Sequence, residues 1–366
     1  RFADGYSPLY ARLFAIVGQW LVDESDPLAA GLVGLAALRR PFALTLLLPA
    51  ALHRDVLAGE PEAAPLAAFY PTSGGHAPDS DAPLAAALRQ VILARREALA
   101  AFISRATVQT NETGRGLAWL LPVAALGWPA VHLVELGASA GLNLVAERRS
   151  YRLATIGDPT GAILTLGATE NPQFLARVDG YTTPLPTLTW PTILSRTGGD
   201  INPFHLRTAE DELTLAAFIW ADQPARLDRL REGIAALRAI EDSAAPVRLR
   251  PLHLPDDLPR FLAEDLPQPL DAPLILYNTT VTMYLPDRGA GLLHHVEAWA
   301  ARQRVPILWL QWEPPGPADP QPPRADWQAW SADLWQAGPH RRLRLGWVHP
   351  HGASIESLDL TGLSSA

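Results

Sequence analysis

The chain has 366 residues, 48% of them hydrophobic, enough to bury a sizeable core as one large domain or two. Its formal net charge of −8 argues against general nucleic-acid binding, which needs a basic footprint. There is no cysteine and all 30 basic residues are arginine, which excludes disulfides, thiolate nucleophiles, cysteine metal sites, Schiff-base lysines and a phosphate-loop lysine.

Residues 1–126 read as a helical N-terminal domain. Ser7-Pro8 has the form of an N-cap followed by proline in the first turn, and Leu9, Leu13, Val17, Trp20 and Leu21 follow at helical spacing. Further helices are expected over 27–38, 43–57, 82–104 and 113–126, with a Gly/Ser/Asp/Pro-rich surface loop at 71–83. The polar run Gln109-Thr110-Asn111-Glu112-Thr113-Gly114-Arg115 is either a capping segment or a strip that closes over a ligand. No apolar run reaches the ~18 residues of a membrane span and no signal-peptide pattern is visible. The expectation is a cytoplasmic protein without a membrane partner.

The texture changes over 127–366, to short β-rich runs alternating with helical stretches. Strands are expected at 131–136, 192–197, 247–253, 273–279, 305–311 and 341–348, and helices at 141–148, 208–239, 256–265, 286–303 and 324–336. That alternation is the mark of a parallel sheet with crossover helices. Residues 151–190 contain no good helix and read as an insertion, a hairpin of 151–154 and 162–166 followed by a proline-rich loop. Leu343–Val348 and Ile355–Leu360 read as an antiparallel hairpin ending the sheet. In the 208–239 stretch, Asp222 and Arg226 have the spacing of an i,i+4 ion pair.

Ligands in open α/β sheets bind outside the carboxyl ends of the strands, so the residues expected there carry the functional reading. Val131-His-Leu-Val-Glu135-Leu-Gly137-Ala138-Ser139-Ala-Gly141-Leu-Asn143 has the grammar of a buried strand, a tight turn and a helix start. The small residues of the turn leave room for a ligand to approach the backbone. This acid-x-Gly-x-x-x-Gly run resembles the first motif of class I S-adenosylmethionine-dependent methyltransferases. The second strand ends at Gly198-Gly199-Asp200, where a carboxylate can accept both ribose hydroxyls of a nucleoside or simply sit in a turn. Asp256, after the third strand, is either an adenine contact or a helix start. Tyr277 and Asn278 end the fourth strand and Glu313 the fifth. His349 and His351 share a side of the last turn. They are ordinary turn residues, proton carriers, or two ligands of a metal whose third would come from Glu313, His294 or His295; the turn reading is preferred, so no metal is assigned.

Gly137-Ala-Ser139-Ala-Gly141 also matches the G-x-S-x-G turn of serine hydrolases, with Asp256 or Asp287 and His349 or His351 completing a triad in chain order. Against that reading, the turn follows the first strand of the sheet rather than a late one. A third possibility is a binding module without catalysis.

The run from Val134 to Asn143, taken with Ser7-Pro-Leu-Tyr10, Gln109-Thr-Asn-Glu112, Gly114-Arg115, Gly199-Asp200, Trp220-Ala-Asp-Gln223 and His349-Pro-His-Gly352, resembles an uncharacterised bacterial family, a domain of unknown function. The resemblance spans nearly the whole chain. It implies an α/β fold with a Rossmann-like methyltransferase sheet, mostly parallel with an antiparallel C-terminal hairpin, and an N-terminal all-helical region. It supplies no substrate.

The sequence is therefore expected to be an S-adenosylmethionine-dependent methyltransferase acting on a small or medium polar molecule. Glu135, Gly137, Ala138, Ser139, Gly141, Asn143, Asp200 and Asp256 are expected to hold the cofactor. Gln109, Asn111, Glu112, Arg115, Tyr277 and His349 are expected to hold the substrate, with Asn278, Glu313 and His351 catalytic. Gly137→Val is expected to abolish cofactor binding without unfolding the protein.

Overall fold

The structure, a computed structural model, describes residues 3, 5–23, 25–38, 41–109, 112–155, 163–166, 174–179, 190–317, 319–336 and 340–364. The helices are α1 (Pro8–Trp20), α2 (Pro27–Ala36), α3 (Pro41–Leu57), α4 (Ala64–Ala67), α5 (Asp81–Ala94), α6 (Arg96–Arg105), α7 (Leu117–Leu126), α8 (Ala209–Ala217), α9 (Pro224–Arg238), α10 (Leu258–Glu264), α11 (Ala290–Ala300) and α12 (Thr361–Ser364). The strands are β1 (Ala130–Leu136), β2 (Tyr151–Thr155), β3 (Ile163–Leu166), β4 (Phe174–Asp179), β5 (Thr192–Asp200), β6 (Val247–Pro251), β7 (Leu274–Thr279), β8 (Ile307–Glu313), β9 (Gln328–Trp335), β10 (Arg341–Val348) and β11 (Ser354–Glu356). Among the described residues no helix is long and apolar enough to cross a membrane.

The chain divides into two compact units, 1–111 with 206–230, and 112–205 with 231–366. The boundary expected at 126 therefore moves. Helix α7 belongs to the sheet unit, and the helical unit takes a second segment from beyond β5. In the helical unit, Ser7 caps α1 by accepting from the Tyr10 amide at 3.0 Å. Its hydroxyl also donates to Asp222 at 2.6 Å, and the same carboxylate accepts from the Leu9 amide. Asp222 thus ties the start of α1 to the 206–230 segment, whereas Arg226 donates to Gln223. Leu13, Leu52, Leu66, Leu88, Ile103 and their neighbours form this unit's core.

Among the described residues the sheet unit carries an eleven-stranded mixed sheet in the order β3-β2-β4-β11-β10-β9-β8-β7-β1-β5-β6. Five consecutive strands, β6-β5-β1-β7-β8, are mutually parallel. Strand β9 pairs antiparallel with β8 and with β10, and β10 antiparallel with β11. Side chains alternate across β1. Val131 and Leu133 pack with α7, Ile275 and Leu310 on one face. Val134 and Leu136 pack with α10, α11 and Trp309 on the other. The parallel strands read as continuous apolar runs because both faces are covered.

Two expectations fail for identifiable reasons. Residues 324–336 form no helix; the segment is largely β9. Trp327, Trp330, Leu334 and Trp335 have helical spacing, but Trp330, Ala332 and Leu334 also alternate, and these three bury together on the α7 face. Pairing on both sides satisfies the backbone along the segment, which outweighs local spacing. The insertion holds its expected hairpin, β2 antiparallel to β3, but also β4, which lies within the stretch read as loop. Strand β4 runs parallel to both β2 and β11 and so joins the insertion to the main sheet. Residues 180–189 of the expected loop lie outside the described residues. The 208–239 stretch is two helices, α8 and α9, and 141–148 is a 3-10 helix, Leu142–Arg148.

Candidate functional site at the carboxyl edge of the sheet

The β2–β4 insertion sits at the far edge of the sheet, beyond β11; apart from it, the chain passes from β1 to β5 and β6 on one side and then to β7 and β8 on the other. The carboxyl ends of β1 and β7 therefore flank the point where the direction of winding reverses, which is where open α/β sheets bind ligands. Glu135 of β1 and Tyr277 of β7 stand side by side there.

Glu135 is buried, and its Oε2 has no hydrogen-bond partner. Burial pushes its carboxyl up from 4.5 to about 8, against the lowering effect of the Tyr277 hydroxyl, the Asn143 amide and the Arg115 charge. The Tyr277 hydroxyl is itself driven well above its ordinary range by burial and by the adjacent carboxyl.

The turn after β1 is moored to the end of β5. The amides of Gly137 and Ala138 donate to the Gly199 carbonyl at 2.8 and 3.1 Å. The Ser139 amide donates to Asp200 at 2.8 Å, and the other Asp200 oxygen accepts from the Asn202 amide. Gly137, Ser139 and Gly141 all have positive φ. The glycines serve packing more than ligand clearance. A Cβ on Gly141 would lie 2.8 Å from Val247 Cγ1, and one on Gly137 would lie 2.5 Å from Val281 Cγ2. Gly137→Val is thus strained by the fold itself, which corrects the expectation that it would act on binding alone. Gly198 and Gly199 are part of the same device. Their missing side chains admit Ala138 and Leu252, and the signal was the Gly-Gly pair inside a strand.

A second group gathers at the same edge. Arg115 is buried and donates to the Pro350 carbonyl at 3.1 Å and to the Thr279 carbonyl at 3.5 Å. It thereby fixes the His349-Pro350-His351 turn to the end of β7. Glu112, also buried, receives the Gly114 amide on one oxygen and lies 3.4 Å from His351 Nδ1 with the other. The His351 amide donates to His349 Nδ1, so that nitrogen is an acceptor. Desolvation, then His351, lowers the His349 pKa. The Asn143 side chain reaches the Glu112 carbonyl at 3.5 Å, linking the two groups.

Other expected residues take different roles. Asn278 is fully buried, donates to Glu313 at 2.7 Å and accepts from Trp309 Nε1 at 2.7 Å. Glu313 also receives the Val281 amide, the Thr282 amide and the Thr282 hydroxyl. Burial raises its pKa while these bonds oppose the rise. A carboxylate so occupied is a latch on the 281–282 backbone, not a base facing a substrate. Asp256 is exposed, 3.9 Å from His253. Asp287 accepts from the Gly289 and Gly291 amides of its own turn. The acid beside His351 is therefore Glu112, and the triad drawn through Asp256 or Asp287 is not assembled. Gln109 belongs to the helical unit, and Asn111 lies outside the described residues. Among the described residues no group of three His, Asp or Glu side chains could hold a metal ion.

Residues 1–357 match the family described as "Uncharacterized protein conserved in bacteria (DUF2332)", and the chain belongs to that family. No curated protein and no solved structure matches the chain.

Proposed function

We propose that this bacterial family member is an S-adenosylmethionine-dependent methyltransferase with a Rossmann-like core, acting on a small or medium polar molecule. The observation that carries the reading is the buried Glu135, with an unpartnered oxygen, at the winding reversal of five parallel strands, beside a positive-φ turn and the acid of the next strand. The donor set fits a nucleoside linked to a cationic sulfur. Asp200 has lone pairs left for ribose hydroxyls after accepting two amides. Glu135 faces a positive group well once it gives up its proton, and Asn143 and Tyr277 flank it.

S-adenosylmethionine supplies an activated methyl group on a sulfonium, so the protein's main task is alignment. Arg115 and Glu112 hold the His349–His351 turn, and His351 takes the acceptor's proton. Asn278 and Glu313 set the 281–282 backbone against Gly137. The strand order after β8 departs from that of the methyltransferases, since β9 and β10 follow in chain order and the sheet continues into β11. That continuation changes the far side of the sheet and leaves the order β6-β5-β1-β7-β8 unaltered.

The test is a thermal melt with S-adenosylmethionine and S-adenosylhomocysteine. Saturation at 100 times the dissociation constant raises stability by about 2.7 kcal/mol, and Asp200→Asn and Glu135→Gln should each weaken the effect. A wild-type melting temperature unmoved by millimolar amounts of either compound would refute the proposal.

A further inference from the structure

The opposite edge of the same strands holds a second constellation. His132, near the amino end of β1, is buried. Its Nδ1 lies 2.8 Å from the Ser195 Oγ and its Nε2 lies 2.9 Å from Asp271 Oδ1. The arrangement depends on an irregularity in the β1–β5 ladder. Val131 pairs with Ile193, but His132 pairs with Ser195, so Leu194 is the extra residue. Bulges re-aim side chains in this way, and they are uncommon between parallel strands. The bulge puts Ser195 directly opposite His132. The three residues also line one open cavity of about 350 Å³, with Leu194, Ala245, Pro246, Pro267 and Arg248 among its walls.

The proton inventory is directional. Asp271 as a carboxylate can only accept, so its 2.9 Å contact is made by a proton on His132 Nε2, and in the neutral ring Nδ1 accepts the Ser195 hydroxyl proton. That is the polarity a hydroxyl nucleophile needs from an adjacent base and an orienting acid, with the two ring nitrogens used in the reverse of the usual sense.

We propose that Ser195, His132 and Asp271 form a second active site, a hydrolase of short-chain carboxylic esters, on the edge of the sheet opposite Glu135. Ser195 Oγ attacks the ester carbonyl carbon as its proton passes to His132 Nδ1. Arg248, one of the lining residues, supplies a positive charge to offset the developing oxyanion. The carbon–oxygen bond to the alcohol breaks, and the leaving oxygen takes the proton from Nδ1. Water then attacks the acyl-serine, gives one proton to Nδ1 and releases the carboxylic acid as Ser195 Oγ recovers that proton. The net change is ester plus water to acid plus alcohol, and Leu194 with the wall prolines gives a short acyl chain apolar surface to lie against.

The test is labelling of the full chain with a fluorophosphonate, followed by peptide mass spectrometry, alongside hydrolysis of p-nitrophenyl acetate and butyrate. The adduct is expected on Ser195 and should disappear in Ser195→Ala. His132→Gln should slow labelling at least about 100-fold. Asp271 is 78% exposed, so Asp271→Asn should fold normally and slow labelling by about tenfold, less than for a buried triad acid. Millimolar S-adenosylmethionine should leave labelling unchanged, which keeps this proposal separate from the methyltransferase reading. An unlabelled Ser195 in the folded wild type, an adduct on Ser139 instead, or equal rates in wild type, His132→Gln and Asp271→Asn would each overturn it.

Discussion

Glu135→Gln separates the charge of the buried carboxyl at the end of β1 from its shape. The folded protein holds this carboxyl near 8 against an ordinary 4.5, so the native state keeps a proton that the unfolded chain releases. Stability from this group is full below pH 4.5 and falls as the pH rises through about 8. At about 1.4 kcal/mol per pH unit of separation, the whole loss comes to about 5 kcal/mol, and about 3 kcal/mol of it falls between pH 6 and pH 9. Glutamine copies the neutral form and does not titrate. Melts of both proteins at pH 6, 7.5 and 9 should show the wild type losing ground steadily to the variant. At about 2–4 °C per kcal/mol for a unit of this size, the difference grows by about 6–12 °C across the range. Parallel melting curves at all three values would mean that Glu135 is not held protonated and that burial does not dominate its surroundings.

The latch on the 281–282 backbone can be tested without any ligand. Asn278→Leu removes a donor from Glu313 and an acceptor from Trp309; urea titration should show a loss of about 2–4 kcal/mol, and an unchanged midpoint would contradict the latch. Gly137→Ala has two separable penalties, a φ of +81° and an overlap with Val281. Adding Val281→Ala should recover the overlap and leave about 1–2 kcal/mol of conformational cost, whereas full recovery would show that backbone strain is absent.

The parallel core was legible because its physics is local and repetitive. Strands such as 131–136 and 274–279 are covered on both faces, so burial wrote nearly unbroken apolar runs into the sequence. Gly137 to Gly141 announced a turn through residue size alone. The candidate site was legible in part. Strand ends drew attention to Glu135, Asp200 and Tyr277, and the polar run before α7 to Glu112 and Arg115, which the structure brings to the same edge. Nothing in the spacing of Asn278 and Glu313 could say that each side chain is spent on the other and on neighbouring backbone, since that follows from β7 and β8 lying side by side.

What the sequence determined by itself is the parallel strands of the core, the glycine turn and the exclusion of thiol and lysine chemistry, because burial, residue size and composition are properties of single positions or short windows. Tertiary structure alone decided that 328–335 is a strand, that 206–230 joins the helical unit, and that His132, Ser195 and Asp271 meet. Each of these depends on which distant segment lies alongside, and pairing across 63 or 139 residues leaves no local trace.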